Sequence, residues 1–306
     1  MPKKCEHLNK EIFNCLMKSI NTILLDCDGV LYRGNCMVPG VDAVLNKLKS
    51  MGKRLFYVTN NSSKTRIQFS KKLASFGFPV CENNVISSSY STAMYLRSKL
   101  NLNKDHVFCI GSDNLVTELK QACLKVVTPE IPEGVGGVEK ALNYKLHPDV
   151  ACVLIANDEN LTYLKVAEGM RYLLSKDHEC IFVATNSDSS YPVGVDILLP
   201  GAGSCVKMLE TAVGRNVDVT CGKPNVTMLK AVQDEFEIES DKTLMVGDRL
   251  DTDIEFASHC SLRSLLVLTG CANSGDVTRI QNGDVPDTSV PNYYTESLAD
   301  LAKYLV

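Results

Sequence analysis

Residues 23–31 decide the fold, and they read Ile23-Leu24-Leu25-Asp26-Cys27-Asp28-Gly29-Val30-Leu31. Three branched apolar residues predict a buried strand, and two carboxylates follow where that strand ends. Because side chains alternate along an extended chain, Asp26 and Asp28 should point the same way and Cys27 to the opposite face. Gly29 then lets the backbone turn without the penalty of a Cβ atom. The pattern therefore predicts two acids at the rim of a sheet, where open α/β sheets bind their ligands.

Two carboxylates so close together have two explanations. Like charges repel unless a cation or a shared proton relieves them, which favours a metal-assisted nucleophile with an acid/base partner. The simpler interpretation is an acidic turn that follows a strand. The stretch alone does not decide between them, so the rest of the chain has to.

Composition excludes several classes of protein. The chain has 306 residues, enough for two domains with a sizeable core, and its 45% hydrophobic and 22% charged residues are typical of a soluble globular protein. A net charge of −4 gives no reason to expect nucleic acid or an anionic membrane as a partner. The apolar runs are too short to span a bilayer, and the first residues contain no signal-peptide core.

Thirteen cysteines are scattered singly along the chain, with no C-x-x-C pair. Neither a zinc site built from cysteines nor a thioredoxin-type motif is indicated. This usage predicts a reducing, cytoplasmic compartment.

Strand and helix patterns alternate in the first hundred residues. We predict strands at 23–25, 55–58 and 85–86, and helices at 9–20, 41–48, 64–77 and 90–100. Tyr32-Arg33-Gly34 predicts a turn. Alternating elements with polar residues at strand ends are typical of a doubly wound parallel sheet, so we expect a Rossmann-like α/β core.

The pattern restarts after a linker at 101–104. Strands are predicted at 107–110, 126–127, 151–155 and 180–184 and helices at 114–122 and 164–174, with a looser stretch containing Gly134, Gly136 and Gly137. The last third adds strands at 217–221, 243–246 and 265–268 and helices at 228–232 and 298–305. We expect a core formed by residues 1–102 and 218–306, with residues 103–217 inserted as a second α/β domain.

Four polar clusters fall at four predicted strand ends. They are Asp26 with Asp28, Thr59-Asn60-Asn61, Lys223, and Asp248 with Asp253. Each has an ordinary explanation by itself: an acidic turn, an Asx turn, a solvated lysine and a capped helix start. Since parallel strands bring their carboxyl ends to one edge, all four can meet there, and their joint presence favours a site.

The order of these motifs resembles the haloacid dehalogenase superfamily of phosphatases. Five stretches carry the resemblance: Asp-Cys-Asp-Gly-Val-Leu-Tyr-Arg-Gly, Val-Thr-Asn-Asn-Ser-Ser-Lys-Thr-Arg, Pro-Gly-Ala-Gly-Ser, Cys-Gly-Lys-Pro and Gly-Asp-Arg-Leu-Asp-Thr-Asp-Ile. They are similar to the branch with eukaryotic phosphoglycolate (glycerol-3-phosphate) phosphatases, pyridoxal phosphatases and p-nitrophenyl phosphatases. Most of the chain is covered, except the first 20 residues and the loops after Gly270. The resemblance implies that residues 103–217 form a large α/β cap.

The resemblance also implies roles for the acids. Asp26 would be the nucleophile and form an aspartyl phosphate, while Asp28 would protonate the leaving oxygen and later activate water. Mg²⁺ would be held by Asp26, the backbone carbonyl of Asp28, and Asp248. Asp253 would orient Asp248 or a metal-bound water.

Three further positions would hold the phosphoryl group. Thr59 offers a hydroxyl, the turn at Asn60-Asn61 offers backbone amides, and Lys223 offers a positive charge to the nucleophile and the phosphate oxygens.

A small phosphorylated metabolite is the expected substrate. The cap loop reads Thr185-Asn186-Ser187-Asp188-Ser189-Ser190-Tyr191-Pro192 and lacks the histidine that faces the pyridine ring in pyridoxal phosphatases. This favours 2-phosphoglycolate or glycerol 3-phosphate, with Asn186–Tyr191 nearest the leaving group. The alternatives are a pyridoxal 5′-phosphate phosphatase, and a broad p-nitrophenyl phosphatase or nucleotidase.

Two alternative functions other than that of a small-molecule phosphatase are considered. A catalytically silent binding protein on this fold would be expected to lack one of the key acids or the lysine, and none is absent. A phosphotransferase or ion-pump-like domain would not need the second acid, Asp28, and would carry a membrane segment. The resemblance further implies a homodimer formed through the caps.

Overall fold

The computed structural model describes residues 5–129, 139, 144–175, 179–193 and 197–305. The strands of this part are β1 (Glu6–His7), β2 (Thr22–Asp26), β3 (Tyr32–Arg33), β4 (Cys36–Met37), β5 (Arg54–Thr59), β6 (Val85–Ser87), β7 (His106–Ile110), β8 (Lys125–Val127), β9 (Val150–Ile155), β10 (Ile181–Ala184), β11 (Ser190–Pro192), β12 (Leu198–Pro200), β13 (Val219–Thr220), β14 (Thr243–Gly247), β15 (Arg263–Val267) and β16 (Tyr293–Thr295). Its α-helices are α1 (Lys10–Ser19), α2 (Val41–Ser50), α3 (Arg66–Ser75), α4 (Ser88–Lys99), α5 (Asp113–Gln121), α6 (Tyr163–Leu174), α7 (Ala202–Val213), α8 (Thr227–Lys230), α9 (Glu255–His259) and α10 (Ser274–Asn282).

A seven-stranded parallel sheet has the order β1-β16-β15-β14-β2-β5-β6. Its two faces are both covered, because side chains alternate along each strand. Ile23 and Leu25 of β2 pack in the hydrophobic cluster with α1, α2 and α3, whereas Leu24 packs with α4, α8 and α9. The doubly wound parallel α/β fold predicted from the sequence is thus confirmed.

A second parallel sheet lies between β6 and β14 in the chain and has the order β13-β10-β9-β7-β8. Helices cover both of its faces, α4 and α5 on one side and α6 and α7 on the other. Helix α4 packs against both sheets, since Tyr90 lies in a cluster of the first sheet and Leu96 in a cluster of the second.

The strand predicted at 217–221 differs from the structure in its length and in its pairing. The predicted strand 217–221 is shorter, β13, and it does not join the first sheet. Val219 and Thr220 pair in parallel with Val183 and Ala184 of β10. Strand β13, which precedes the part of the chain that re-enters the first sheet, is thus an edge strand of the second sheet. The local sequence does not reveal this pairing.

Several local expectations are also corrected. Residues 298–305 form a 3₁₀-helix, Leu298–Lys303, rather than an α-helix. The turn at Tyr32-Arg33-Gly34 is part of a hairpin in which β3 pairs with β4. The loop after Asn186 contains a second hairpin, β11 with β12. The stretch around Gly134, Gly136 and Gly137 lies outside the described residues. Among the described helices, none combines the length and apolar character needed to cross a bilayer.

Candidate functional site

The predicted polar clusters meet at the carboxyl edge of the first sheet. Strand β2 lies between β14 and β5, with Leu25 paired to Val246 and Asp26 paired to Val58. Asp26 is therefore flanked by the residues that follow these neighbours, Thr59 on one side and Asp248 on the other. Both are buried, as Asp26 is.

Gly29 makes the turn that the sequence predicts. Its φ is +87°, a left-handed conformation that side chains rarely adopt. A Cβ atom there would also lie 2.4 Å from Asp248 Oδ2. Glycine is thus required twice, for the turn after Asp28 and for the approach of Asp248. Cys27 is fully buried in the cluster of α1–α3, as the alternation of side chains predicts.

Lys223 forms a buried double ion pair. Its side chain is 3% exposed, and Nζ lies 2.5 Å from Asp26 Oδ1 and 2.7 Å from Asp253 Oδ1. Burial opposes the charge on Lys223, but the two carboxylates outweigh burial and raise the pKa of its ammonium group above its ordinary value. The lysine therefore stays charged and fixes the Asp26 carboxylate.

The carboxylates of Asp253 and Asp248 differ in how many hydrogen bonds they accept. Asp253 Oδ2 accepts the amides of Asp248 and Arg249 at 3.1 Å each, so both of its oxygens are engaged. Asp248 Oδ2 accepts the Cys271 amide at 2.6 Å. Asp26, Asp248 and Asp253 each offer an oxygen within 4.8 Å of the others. Since both oxygens of Asp253 already accept hydrogen bonds, Asp26 and Asp248 have more acceptor capacity left for a metal ion, and Asp253 contacts Lys223 and the Asp248 backbone.

One ammonium group, that of Lys223, does not balance the charge of the three carboxylates near it. Burial raises the pKa of the Asp248 carboxyl to about 6, and the neighbouring Asp253 adds to this shift. Burial also raises the pKa of Asp26, against the attraction of Lys223. Three carboxylates around one ammonium, all offering oxygen, suit a hard divalent cation such as Mg²⁺. Within the described residues the main-chain carbonyl of Asp28 accepts no main-chain hydrogen bond, which leaves it open as the third predicted ligand.

Asp28 lies beside two groups that sequence reasoning missed. The hydroxyl of Tyr32 donates to Asp28 Oδ2 at 3.1 Å, and Lys72 Nζ lies 3.7 Å from the centre of the Tyr32 ring. Burial raises the pKa of the Asp28 carboxyl, while Lys72 and Tyr32 oppose this shift. The raised pKa keeps part of the Asp28 population protonated at higher pH than an ordinary aspartate, which suits an acid/base group.

The turn after β5 is braced by its own side chains. Thr59 Oγ1 accepts the amide of Asn61 at 3.1 Å, a bond that a phosphoryl oxygen would have to replace. Asn61 Oδ1 accepts the amides of Ser63 and Lys64 at 3.1 Å each, which is the Asx-turn geometry of the simpler interpretation. The side chain of Asn61 therefore stabilises the turn itself.

Asn60 joins three parts of the chain. Its Nδ2 donates to Asp188 Oδ1 at 3.2 Å and to the main-chain oxygen of Lys223 at 3.1 Å, and its Oδ1 accepts the Lys223 amide at 2.8 Å. Its main-chain oxygen accepts from Asn186 Nδ2 at 2.8 Å. Asn60 thus ties the end of β5 to the segment carrying Lys223 and to the loop after β10.

Part of the loop Asn186–Tyr191 contacts Asn60, so some of its groups are already engaged. Asn186 and Asp188 bind Asn60, and burial raises the pKa of the Asp188 carboxyl. The first turn of α7 is hydrogen-bonded to this loop, because the Gly203 amide donates to the main-chain oxygen of Asp188 at 2.8 Å. A Cβ atom on Gly203 would lie 2.4 Å from Ser187 O, which explains the Pro-Gly-Ala-Gly-Ser stretch.

Comparisons with known proteins cover the stretches of chain that carry these side chains. Residues 23–125 match the haloacid dehalogenase-like hydrolase family, and residues 220–301 match the HAD-hydrolase-like family. A glycerol-3-phosphate phosphatase from Gallus gallus is 38% identical over 304 residues, which is 98% of this chain and 96% of that protein. Chronophin from Homo sapiens is 34% identical, with 99% of each chain covered. A solved glycerol phosphate phosphatase from Mycobacterium tuberculosis, in complex with magnesium, has a TM-score of 0.76 at 26% identity and covers 94% of this chain and 77% of that one.

Proposed function

Because the chain belongs to the haloacid dehalogenase-like hydrolases and is a phosphoric monoester hydrolase, we propose that it is a Mg²⁺-dependent phosphatase for small metabolites that works through an aspartyl phosphate. The observation that carries this proposal is the buried Asp26, held by Lys223 at 2.5 Å beside Asp248. A carboxylate fixed in this way can attack a phosphorus atom without first losing rotational freedom.

In the first step an oxygen of Asp26 attacks the phosphorus, and the bond from phosphorus to the alcohol oxygen breaks. Asp28 gives its proton to that oxygen as it leaves. Thr59, the backbone of the Asn60-Asn61 turn and Lys223 stabilise the charge on the phosphoryl oxygens. In the second step Asp28 takes a proton from water, which attacks the aspartyl phosphate and releases phosphate and Asp26.

Asp26, the main-chain carbonyl of Asp28, and Asp248 would hold the metal ion. Mg²⁺ would supply positive charge to the phosphoryl oxygens and to the nucleophile. Asp253 serves this set indirectly, because it holds the Asp248 backbone and Lys223 together.

We further propose that the second sheet is a cap over this site. Residues 1–102 and 221–306 would then form the catalytic core and residues 103–220 the cap, with the boundary moved to follow β13. The contacts of Asn186 and Asp188 with Asn60 support this arrangement. Glycerol 3-phosphate or 2-phosphoglycolate is the proposed substrate, supported by the similarity to proteins named glycerol-3-phosphate phosphatase. The thirteen free cysteines support a reducing cytoplasmic setting.

Asp26→Asn tests the proposal. Asparagine is nearly isosteric but cannot form the acyl phosphate, so hydrolysis of p-nitrophenyl phosphate should fall below about 1% of wild type while circular dichroism and melting change little. Wild-type activity should vanish in excess chelator and return with Mg²⁺. Asp241→Asn, the same change at an exposed position, should keep full activity. Activity in chelator would exclude the metal role, and an active Asp26→Asn would place the nucleophile elsewhere.

A further inference from the structure

We propose that His106, His147 and Asp149 form a second metal site, which takes a transition-metal ion such as Zn²⁺. Each of the three residues offers a ligand atom within 4.8 Å of the other two. The two imidazole rings are 4.3 Å apart between centroids and inclined by 40°. All three residues are partly buried, so an ion could enter from solvent and still be partly shielded from it.

The backbone brings these residues together at the amino ends of β7 and β9. His106 is paired with Val150, and the register shifts between His106 and Val107, a bulge that turns the first side chain relative to the rest of the strand. The His106 amide donates to Asp149 O at 2.8 Å, and the Val150 amide donates to His147 O at 3.4 Å to close a turn. The position of all three residues is thus fixed by main-chain bonds.

This cluster is separate from the site around Asp26. The strands of the second sheet are parallel, so their amino and carboxyl ends lie at opposite edges. The loop that contacts Asn60 follows the carboxyl end of β10, whereas the cluster lies at the amino ends of β7 and β9. The proposed ion therefore does not take part in phosphate hydrolysis.

The hydrogen bonds of the two histidines indicate which ring nitrogen of each carries a lone pair. His106 Nδ1 lies 2.9 Å from the main-chain oxygen of Lys104. Because a carbonyl only accepts, Nδ1 carries the hydrogen and Nε2 carries the lone pair, an arrangement that also orients metal-binding histidines. His147 Nδ1 accepts the Asp149 amide at 3.2 Å, so this nitrogen carries a lone pair as well. A metal ion at Nδ1 would replace that long hydrogen bond.

The donor set selects the class of metal. Two imidazoles and one carboxylate suit Zn²⁺ in tetrahedral geometry with water as the fourth ligand, whereas Mg²⁺ prefers oxygen alone. Within the described ranges, no hydrogen bond or ion pair engages the Asp149 carboxylate. Since His106 lies on β7 and the other two precede β9, an ion here would link β7 and β9, which are neighbours in the second sheet.

Zinc binding to the full-length protein tests the proposal. Metal-free protein is supplied with excess Mg²⁺ to occupy the carboxylates around Asp26, and Zn²⁺ is then titrated by calorimetry. We expect one zinc site, a higher melting temperature with Zn²⁺, and, with Co²⁺ as the probe, the visible absorption of a tetrahedral ion. His106→Gln and His147→Gln should each weaken Zn²⁺ binding at least about 100-fold and remove the thermal shift.

Two controls make the result decisive. His7→Gln changes a histidine on β1, outside the cluster, and should bind Zn²⁺ as the wild type does. Asp149→Asn is nearly isosteric and should weaken binding even if a histidine variant folds poorly. Wild-type protein that binds no Zn²⁺ in excess Mg²⁺ would overturn the proposal. So would binding that survives all three cluster variants, or binding that is lost only in Asp248→Asn, since the ion would then occupy the first site.

Discussion

The Asp28 carboxylate has neighbours that set its proton affinity in opposite directions. Burial favours the neutral acid, whereas the Tyr32 hydroxyl and the Lys72 ammonium favour the charged form. Under the proposed mechanism Asp28 must hold a proton in the first step and accept one in the second. A carboxyl group in such a balance can serve both steps near neutral pH.

Tyr32→Phe should therefore shift the pH profile. The change removes a donor to Asp28 Oδ2, which destabilises the charged form and raises the pKa of Asp28 further. The alkaline limb of kcat/KM, where Asp28 loses its proton, should move to higher pH, and the rate at the optimum should fall by less than about 100-fold because Asp28 itself remains. Tyr304→Phe, which removes a hydroxyl bonded to the distant Leu8 carbonyl, should leave the limb in place. A limb that stays or moves to lower pH in Tyr32→Phe would contradict this role.

Individual site residues were predictable where a strand end carried them. Asp26, Thr59 and Asp248 follow predicted neighbouring strands, so their meeting at one edge follows from the fold. Tyr32 and Lys72 were missed, because the contact of Tyr32 with Asp28 depends on a hairpin and the approach of Lys72 depends on the packing of α3. Neither feature leaves a local signal in the sequence.

At the scale of elements, the joint at Asn60 links β5, the Lys223 segment and the loop after β10. A strand end, a returning segment and a loop would otherwise be free to move relative to one another. Lys223 can reach Asp26 only if its own backbone is held in place, and Asn60 holds it with two hydrogen bonds.

Asn60→Ala should loosen this joint without removing any group proposed for the chemistry. We expect kcat to fall by about 10- to 100-fold, because small displacements of catalytic groups are costly. The free energy of unfolding should fall by about 1–3 kcal/mol, since three side-chain hydrogen bonds are lost. Asn46→Ala is the control, because the Asn46 side chain makes two hydrogen bonds on the surface of the first sheet's helices. If kcat stays within about twofold of wild type, Asn60 does not position Lys223.

The longer elements follow from sequence periodicity, and the shorter ones do not. Strands β2, β5, β9 and β14 are apolar runs of five or six residues and were predicted, whereas β1 and β16 have two and three residues and were not. Strand β13 was found but assigned to the wrong sheet. Its pairing with β10 joins residues far apart in the chain, which no local pattern encodes.

At the scale of the whole molecule, the β11–β12 hairpin carries an exposed apolar surface. Ile197 and Leu198 are 60% and 65% exposed, and Leu199 and the nearby Met208 of α7 are also exposed. We propose that a second copy of the chain covers this surface, which would produce the homodimer expected from the family resemblance. Concentrated apolar exposure on one hairpin is typical of an interface.

Leu198→Asp should convert the proposed dimer to a monomer, because it places a charge in the centre of the proposed contact. Light scattering at micromolar concentration measures the mass directly. Met51→Asp is the matched control, since Met51 is 45% exposed but lies at the end of α2, away from the hairpin. A monomeric wild type, or a Leu198→Asp variant that stays dimeric, would show that the interface is absent or elsewhere.

Substrate choice also belongs to the whole molecule, because under the proposed mechanism the groups around Asp26 would hold only the phosphoryl group and the metal. Discrimination between monoesters would then come from the loop Asn186–Tyr191 of the proposed cap. There the side chains of Asn186 and Asp188 are bonded to Asn60, and the Tyr191 hydroxyl donates to Glu159 Oε1 at 3.4 Å. The loop therefore offers small polar groups and no histidine to a substrate. We expect 2-phosphoglycolate or glycerol 3-phosphate to have the highest kcat/KM in a panel with pyridoxal 5′-phosphate, nucleotides and a phosphopeptide. Asp26→Asn reports the background for each ester. A panel led by pyridoxal 5′-phosphate would mean that this loop does not select the leaving group.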